Sequence, residues 1–335
     1  MIGVPNTSES LRLSYMAVVV DVCSKSAALT KALSRDFDAY KGQERGPAQV
    51  TFFLRVDPKV PFVGKGAVLE SVRGQVKFYR LPGKTILETD NSVWLLEHES
   101  NVVRGYSAGW HALREMFGVV IESYLSRLLA AKGILRLHSS VLVRDSKGVV
   151  VMGPSCSGKT TLALALALSH GGFRLVSDDT AFYDVRTRRV HGYLPDLRVY
   201  SDMRSFYEFL SPSTRSSKHV RRGLDGRWVV NPRTVPGITV AETCEPYAIL
   251  FPTIRWSRTT AARRLVEPAS RLSKILPVLM EEDKIQSRGP VERNEKALRF
   301  SAACDLADLT ECYEVLLGQN LNQATGKLLG ILSRP

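Results

Sequence analysis

Gly153-Pro154-Ser155-Cys156-Ser157-Gly158-Lys159-Thr160-Thr161 meets the pattern G-x-x-x-x-G-K-[ST] at every fixed position. The flanks agree with it. Gly148 to Met152 (GVVVM) is a short apolar run of the kind that makes a buried parallel strand. From Thr161 the sequence TLALALALSH is rich in Ala and Leu, the strongest helix formers. Strand, Gly-rich loop and helix therefore follow in the order this motif requires. Gly153 and Gly158 let the backbone curl so that its N–H groups converge on an anion. The helix starting near Lys159 adds its positive dipole end. Lys159 supplies a point charge for β- and γ-phosphates, and Thr160 a hydroxyl for Mg²⁺. The loop residues 153–161 are thus the candidate nucleotide cradle, with Pro154, Ser155, Cys156, Ser157 and Thr161 lending backbone and hydroxyl groups. Cys156 reads as a small tolerated loop residue.

Downstream, Phe173-Arg174-Leu175-Val176-Ser177-Asp178-Asp179 is an apolar run ending in two adjacent carboxylates. It predicts a second strand opening into the same site. In phosphoryl transfer one carboxylate holds Mg²⁺ and another can accept the proton of an attacking hydroxyl. A simple NTPase needs only the first, so the pair points to transfer onto a hydroxyl acceptor. An Asp-Asp turn that merely ends a strand is the plainer alternative. His138 precedes Ser139-Ser140-Val141-Leu142-Val143, which runs into a turn at Asp145-Ser146-Lys147-Gly148, a β-hairpin signature. Hairpin geometry alone does not bring the imidazole to the phosphates.

The segments Leu137-His138, Val141 to Val143, Gly153 to Thr161 and Leu175 to Asp179 together resemble the catalytic core of the HPr kinase/phosphorylase family. They are most similar to its wider set of HPr-kinase-related proteins, some of which phosphorylate serine in small peptides during natural-product maturation. The resemblance is specific over 134–185. It is fainter at Trp228-Val229-Val230-Asn231-Pro232, Ala248 to Pro252 and Tyr313 to Leu317. It implies an α/β fold: a P-loop kinase core of HPr-kinase/PEP-carboxykinase type with a β-rich N-terminal domain. It implies that Lys159 and the loop amides bind the β/γ-phosphates of ATP, that Thr160 and Asp179 hold Mg²⁺, that Asp178 is the general base, and that His138 lies near the transferred phosphoryl. The two aspartates can exchange roles within this scheme. The family's second signature is missing: Arg221-Arg222-Gly223-Leu224-Asp225-Gly226 lacks its glutamate. HPr as acceptor and phosphorolysis are therefore not expected, nor is the decarboxylase chemistry of PEP carboxykinase, whose wider metal-site motifs are absent.

At 335 residues, 44% hydrophobic and 24% charged, the chain has the composition of an ordinary globular protein of one large or two moderate domains. No apolar run approaches the ~20 residues needed to cross a bilayer. Met1 to Ser10 is polar, without a basic n-region. Five scattered cysteines without C-x-x-C spacing read as reduced thiols, not a disulfide frame or zinc site, and so point to the cytoplasm. The net charge of +13 favours anionic partners generally. Basic clusters at Arg186 to Arg189, Arg215 to Arg233 and Arg255 to Arg264 lack the aromatic interleaving of a base-stacking surface, so no nucleic-acid partner is expected.

Three parts are expected: a β-rich N-terminal domain over 1–105, a connecting amphipathic helix over 106–133, and a P-loop kinase domain over 134–335. Strands are read at Tyr15 to Val22, Val50 to Val56, Val68 to Val72, Val76 to Tyr79, Ile86 to Thr89 and Ser92 to Leu96, with a helix at Lys25 to Phe37. The helix Ala108 to Lys132 repeats apolar residues at i, i+3, i+4, i+7 and is expected beneath the nucleotide sheet. Ser201 to Val230 reads as an irregular segment, a candidate substrate lid or a plain insertion. A helix is expected at Ala269 to Glu281, an exposed charged stretch at Glu282 to Glu295, and a last strand and helix at Tyr313 to Leu317 and Asn322 to Leu332. The chemistry expected is ATP-dependent transfer to a hydroxyl, foremost Ser or Thr of a peptide or protein. A kinase for a small hydroxylated metabolite and a nucleotide-binding scaffold without transfer are the alternatives.

Overall fold

The structure is a computed structural model. It describes residues 9–42, 46–59, 66–73, 75–169, 171–199, 220–223, 226–255, 259–281 and 292–332. The chain is mixed α/β with several sheets, and it divides into two compact units, the first running to Leu128 and the second starting at Leu129.

The first unit carries β1 (Glu9–Tyr15), β2 (Val18–Ser24), α1 (Ala27–Asp36), β3 (Val50–Val56), β4 (Val68–Arg73), β5 (Val76–Leu81), β6 (Lys84–Thr89), β7 (Ser92–Glu97) and β8 (Val102–Ser107). Among the described residues the strands form an eight-stranded sheet in the order β1-β2-β3-β8-β7-β6-β5-β4. The expected strand at Tyr15 to Val22 proves to be two. The chain reverses at Met16 and Ala17, with φ of 48° and 60°, so that Tyr15 pairs with Val18. Neither residue is a left-handed turn former, which is why the sequence concealed the hairpin. β8 was also unread. Ser26 caps α1, its hydroxyl accepting from the Leu29 amide.

α2 (Trp110–Ala130) is the long helix that the periodicity predicts. Its aromatic face packs in the first unit. Phe117 meets Phe37 and Phe52 edge-on at 5.3 and 5.0 Å, and Tyr124 meets Phe52 at 6.0 Å. The expectation that this face lies beneath the nucleotide sheet is corrected by those contacts. Periodicity shows that a face is apolar, not which sheet it covers.

The second unit is built on β9 (Ile134–Leu137), β10 (Ser139–Arg144), β11 (Lys147–Met152), α3 (Lys159–Leu168), β12 (Arg174–Ser177), β13 (Ala181–Asp184), β14 (Arg189–Gly192), β18 (Thr243–Ile254), β19 (Ala261–Leu265), α4 (Pro268–Leu279), α5 (Glu292–Leu309), β20 (Glu311–Leu317) and α6 (Leu321–Leu332). β15 (Leu197–Val199), β16 (Val220–Arg222) and β17 (Trp228–Val230) form a separate three-stranded sheet. The candidate lid therefore contains strand at its C-terminal end, while 201–219 and 224–225 lie outside the described residues. So do 282–291 of the charged stretch, and its remainder opens α5, a helix that was not read from the sequence.

β18 joins two layers. Thr243 and Cys244 pair antiparallel with β14, which leads through β13 to β9. From Glu245 onward β18 runs parallel to β11, and from Ala248 parallel to β20. Side chains alternate across this sheet. Val149, Val151, Ala248, Leu250, Val315 and Leu317 face α3 and α6. Val150, Met152, Ile249, Phe251 and Cys312 face α4, α5 and the β9–β13–β14 layer. Apolar residues on both faces explain why these strands read as continuous apolar runs rather than alternating ones. No described helix is long and apolar enough to cross a membrane. The cysteines at 23, 156, 244, 304 and 312 are not joined in disulfides.

The first unit contains a buried ion pair. Arg114 of α2 donates twice to the Asp36 carboxylate at 2.5 Å, with side-chain exposures of 7% and 8%. Removing the carboxylate strips a desolvated guanidinium of its bidentate partner. Asp36→Ala is expected to lower stability by about 3–5 kcal/mol. Equilibrium urea unfolding followed by circular dichroism checks this, and a loss below about 1 kcal/mol would put the pair in the class of surface ion pairs.

Candidate active site

The loop Gly153–Gly158 joins β11 to α3 at the end of the parallel strands. Gly158 caps α3 with φ 98°. A Cβ there would stand 2.9 Å from the Leu317 Cδ1 and 3.2 Å from the Ile254 Cγ1, so any other residue is both strained and crowded. A Cβ on Gly153 would lie 2.8 Å from the Ser157 hydroxyl. That hydroxyl is buried with no protein partner. A tight curl with a buried, unsatisfied donor is what a phosphate-binding loop presents.

Lys159, though the first residue of α3, is buried, and its ammonium turns back into the loop. It donates to the Gly153 carbonyl at 2.9 Å, the Pro154 carbonyl at 3.0 Å and His138 Nε2 at 3.1 Å. An ammonium has three N–H groups and only donates, so Nε2 must accept and the ring proton sits on Nδ1. Nδ1 then donates toward the Asp179 carbonyl at 3.0 Å and its Oδ1 at 3.2 Å. Lys159, His138 and Asp179 form one chain of contacts. Burial holds the His138 pKa below its ordinary value, with Lys159 acting in the same direction against the pull of Asp179. Burial likewise lowers Lys159, against the pull of Asp179 and Asp178.

Asp178 and Asp179 are adjacent but face different surroundings. Asp178 is buried, and its Oδ1 accepts from the hydroxyls of Ser140 at 2.6 Å and Thr160 at 2.9 Å. The Asp179 side chain is 63% exposed. Thr160 is therefore joined directly to Asp178. Burial, and then the neighbouring Asp179, push Asp178 up to about 6, against the two hydroxyl bonds and Lys159.

The sheet order brings these groups together. β10 pairs with β11 on one side and β12 on the other, while β9 pairs with β13. The chain thus passes between the two layers twice at neighbouring points. It does so once at His138, the single residue between β9 and β10, and once at Asp178–Thr180, between β12 and β13. The hairpin reading placed His138 on a strand, but the structure places it at the crossover. Sequence reasoning missed Ser140, whose only signal is a hydroxyl within a buried apolar strand. It also missed Glu281, whose charge bears on both His138 and Lys159. Nothing near the sequence motifs announces Glu281, which arrives just beyond α4.

No protein-family model matches the chain, and no curated protein does. Among solved structures, the Hpr(Ser) kinase/phosphatase from Coxiella burnetii matches with 13% identity and a TM-score of 0.28, over 59% of this chain and 94% of that one. At that score the likeness is too loose to carry any residue across.

The raised pKa of Asp178 has a stability consequence with a definite sign. The native carboxyl holds its proton more tightly than the unfolded one, whose ordinary value is 3.8. Stability is therefore lost as pH rises from about 4 through 6, and the cost is fully present above that, on the order of 3 kcal/mol. Asp178→Asn keeps an oxygen for Ser140 and Thr160 but cannot ionise. Thermal unfolding without nucleotide should show the variant more stable than wild type at pH 8, with the gain vanishing toward pH 4. A gain independent of pH would refute the ionisation account.

Proposed function

We propose that the chain is an ATP-dependent kinase that transfers the γ-phosphate to a hydroxyl, foremost serine or threonine of a peptide or protein. The observation carrying this reading is the convergence, at the ends of β11 and β12, of the Lys159 ammonium, the His138 ring and two carboxylates on one glycine-rich loop. The residues suit the groups they would hold. Lys159, the loop amides and the Ser157 hydroxyl are donors for phosphate oxygens. Thr160 and an aspartate offer hard oxygen ligands for Mg²⁺, which needs only one or two carboxylates beside the phosphates. Mg²⁺, when bound, neutralises charge on the transferred phosphoryl.

The chain's own groups divide the remaining work. Lys159 exchanges its bonds to Gly153 and Pro154 for phosphate oxygens. Asp178, whose pKa near 6 suits proton transfer around neutrality, takes the proton of the acceptor hydroxyl. His138 stays neutral between Lys159 and Asp179 and holds both in register. A second assignment exchanges the aspartates. It is favoured by the bond from Thr160 to Asp178 and by the exposure of Asp179 toward any incoming acceptor. The reading sets the protein where ATP is abundant, in the cytoplasm.

The test is transfer of label from γ-³²P-ATP with Mg²⁺ into peptides, proteins and hydroxylated metabolites. Lys159→Ala is expected to abolish transfer. Replacing the base with Asn should cost about 10²–10⁴ in kcat while sparing nucleotide affinity. Replacing the metal-holding aspartate should weaken Mg²⁺-dependent nucleotide binding itself. Comparing Asp178→Asn with Asp179→Asn in both assays therefore assigns the two roles. Label in a metabolite alone would replace the peptide acceptor. Tight nucleotide binding without transfer to any acceptor would make the protein a nucleotide-binding scaffold.

A further inference from the structure

The link Asp178–Thr180 is three residues long, and each residue is tied to a different part of the fold. Asp178 accepts from Ser140 on β10 and Thr160 on α3. The Asp179 carbonyl accepts from His138 at the β9–β10 crossover. The Thr180 hydroxyl accepts from Arg136 Nη2 on β9 at 3.2 Å. The first two ties involve groups already placed in the site. The third involves an arginine to which neither the motifs nor the proposed chemistry gives a part.

The backbone of the link explains why a third tie is needed. Asp179 adopts φ 65°, and the Thr180 N–H bonds back to the Asp178 carbonyl at 2.8 Å. That closes a three-residue turn of the positive-φ kind, which is rare and strained. Such a conformation persists only where its surroundings over-determine it. Arg136 is well placed for this. It lies opposite Phe182 in the β9–β13 pair, immediately beyond the link. Its planar guanidinium loses little freedom per bond formed, unlike a lysine ammonium.

We propose that Arg136 is a positioning residue: by holding Thr180 it keeps Asp179 in its left-handed turn and so fixes the two carboxylates relative to each other in front of Lys159. Its effect on turnover rests on the phosphotransfer reading, whereas its effect on the turn does not.

The experiment compares Arg136→Met, Arg136→Lys, Thr180→Val, Thr180→Ser and the Arg136→Met/Thr180→Val double variant. Two quantities are measured: amide hydrogen exchange over 178–181 in the nucleotide-free protein, and steady-state kcat and KM. Exchange at the Thr180 amide should quicken about tenfold in Arg136→Met and Thr180→Val. It should stay at the wild-type rate in Thr180→Ser, which keeps the hydroxyl, and fall between in Arg136→Lys. A misplaced carboxylate should lower kcat by about tenfold to a hundredfold with KM for ATP little changed. The double variant should be no worse than either single one, because both remove the same bond. Thr180→Val leaves β9 untouched, so the test survives an Arg136 variant that does not fold. Unchanged exchange at Thr180, or single effects that multiply in the double variant, would overturn the proposal. A wild-type protein without transfer activity would refute the kinase reading, and the exchange rates would still decide the part played by Arg136.

Discussion

Asp178 is a carboxylate kept from water, and much of the second unit is arranged around that fact. A buried charge is tolerable only when its lone pairs are met. Two hydroxyls meet one oxygen here, from β10 and from the first turn of α3. Those bonds couple the strand that starts the hairpin, the helix that follows the glycine-rich loop, and the end of β12. Without that shared oxygen, whether it belongs to a carboxylate or to a neutral group, the three elements lose their common point of attachment. The site is thus electrostatically costly within a core that is otherwise continuous and apolar.

The second constraint is topological. β18 pairs with β14 at its start and with β11 and β20 further along, so it joins two layers and the chain must cross between them. It crosses at His138 and at Asp178–Thr180, and these crossings are neighbours. A crossover residue need not keep the pleat of either strand, so its side chain and carbonyl are free to face the gap. Here that freedom yields an imidazole with one ring nitrogen on Lys159 and the other on Asp179. The protonation of the ring follows from its partners: the ammonium can only donate, which sets the proton on the far nitrogen. Burial keeps the ring neutral, so it links a cation to a carboxylate without adding charge.

Several elements were legible in the sequence for definite reasons. The glycine-rich loop was readable because its backbone requirement leaves few choices of residue, and Gly153 and Gly158 both meet atoms where a Cβ would stand. The β10–β11 hairpin, β12, β20 and α6 were readable because local apolar runs and turn residues mark them. The turn at Met16–Ala17 was hidden, since it adopts left-handed conformations without Gly or Asn. α5 was hidden by its charged first turns. α2 was read correctly as an amphipathic helix and assigned to the wrong sheet, because the partner of an apolar face is a long-range fact.

The sequence by itself determined the chemical groups: a lysine and hydroxyls on a phosphate-type loop, two adjacent carboxylates at a strand end, and a histidine upstream. Their identities are written locally, in motifs whose spacing is fixed by backbone geometry. Only the tertiary structure decided that Asp178 is buried against Thr160 and Ser140 while Asp179 is exposed beside His138. It alone brought Arg136 to Thr180 and the charge of Glu281 to bear on the site. Burial and contact between crossovers depend on which strands pair, and that pairing is settled by packing across the whole unit rather than by any short stretch of chain.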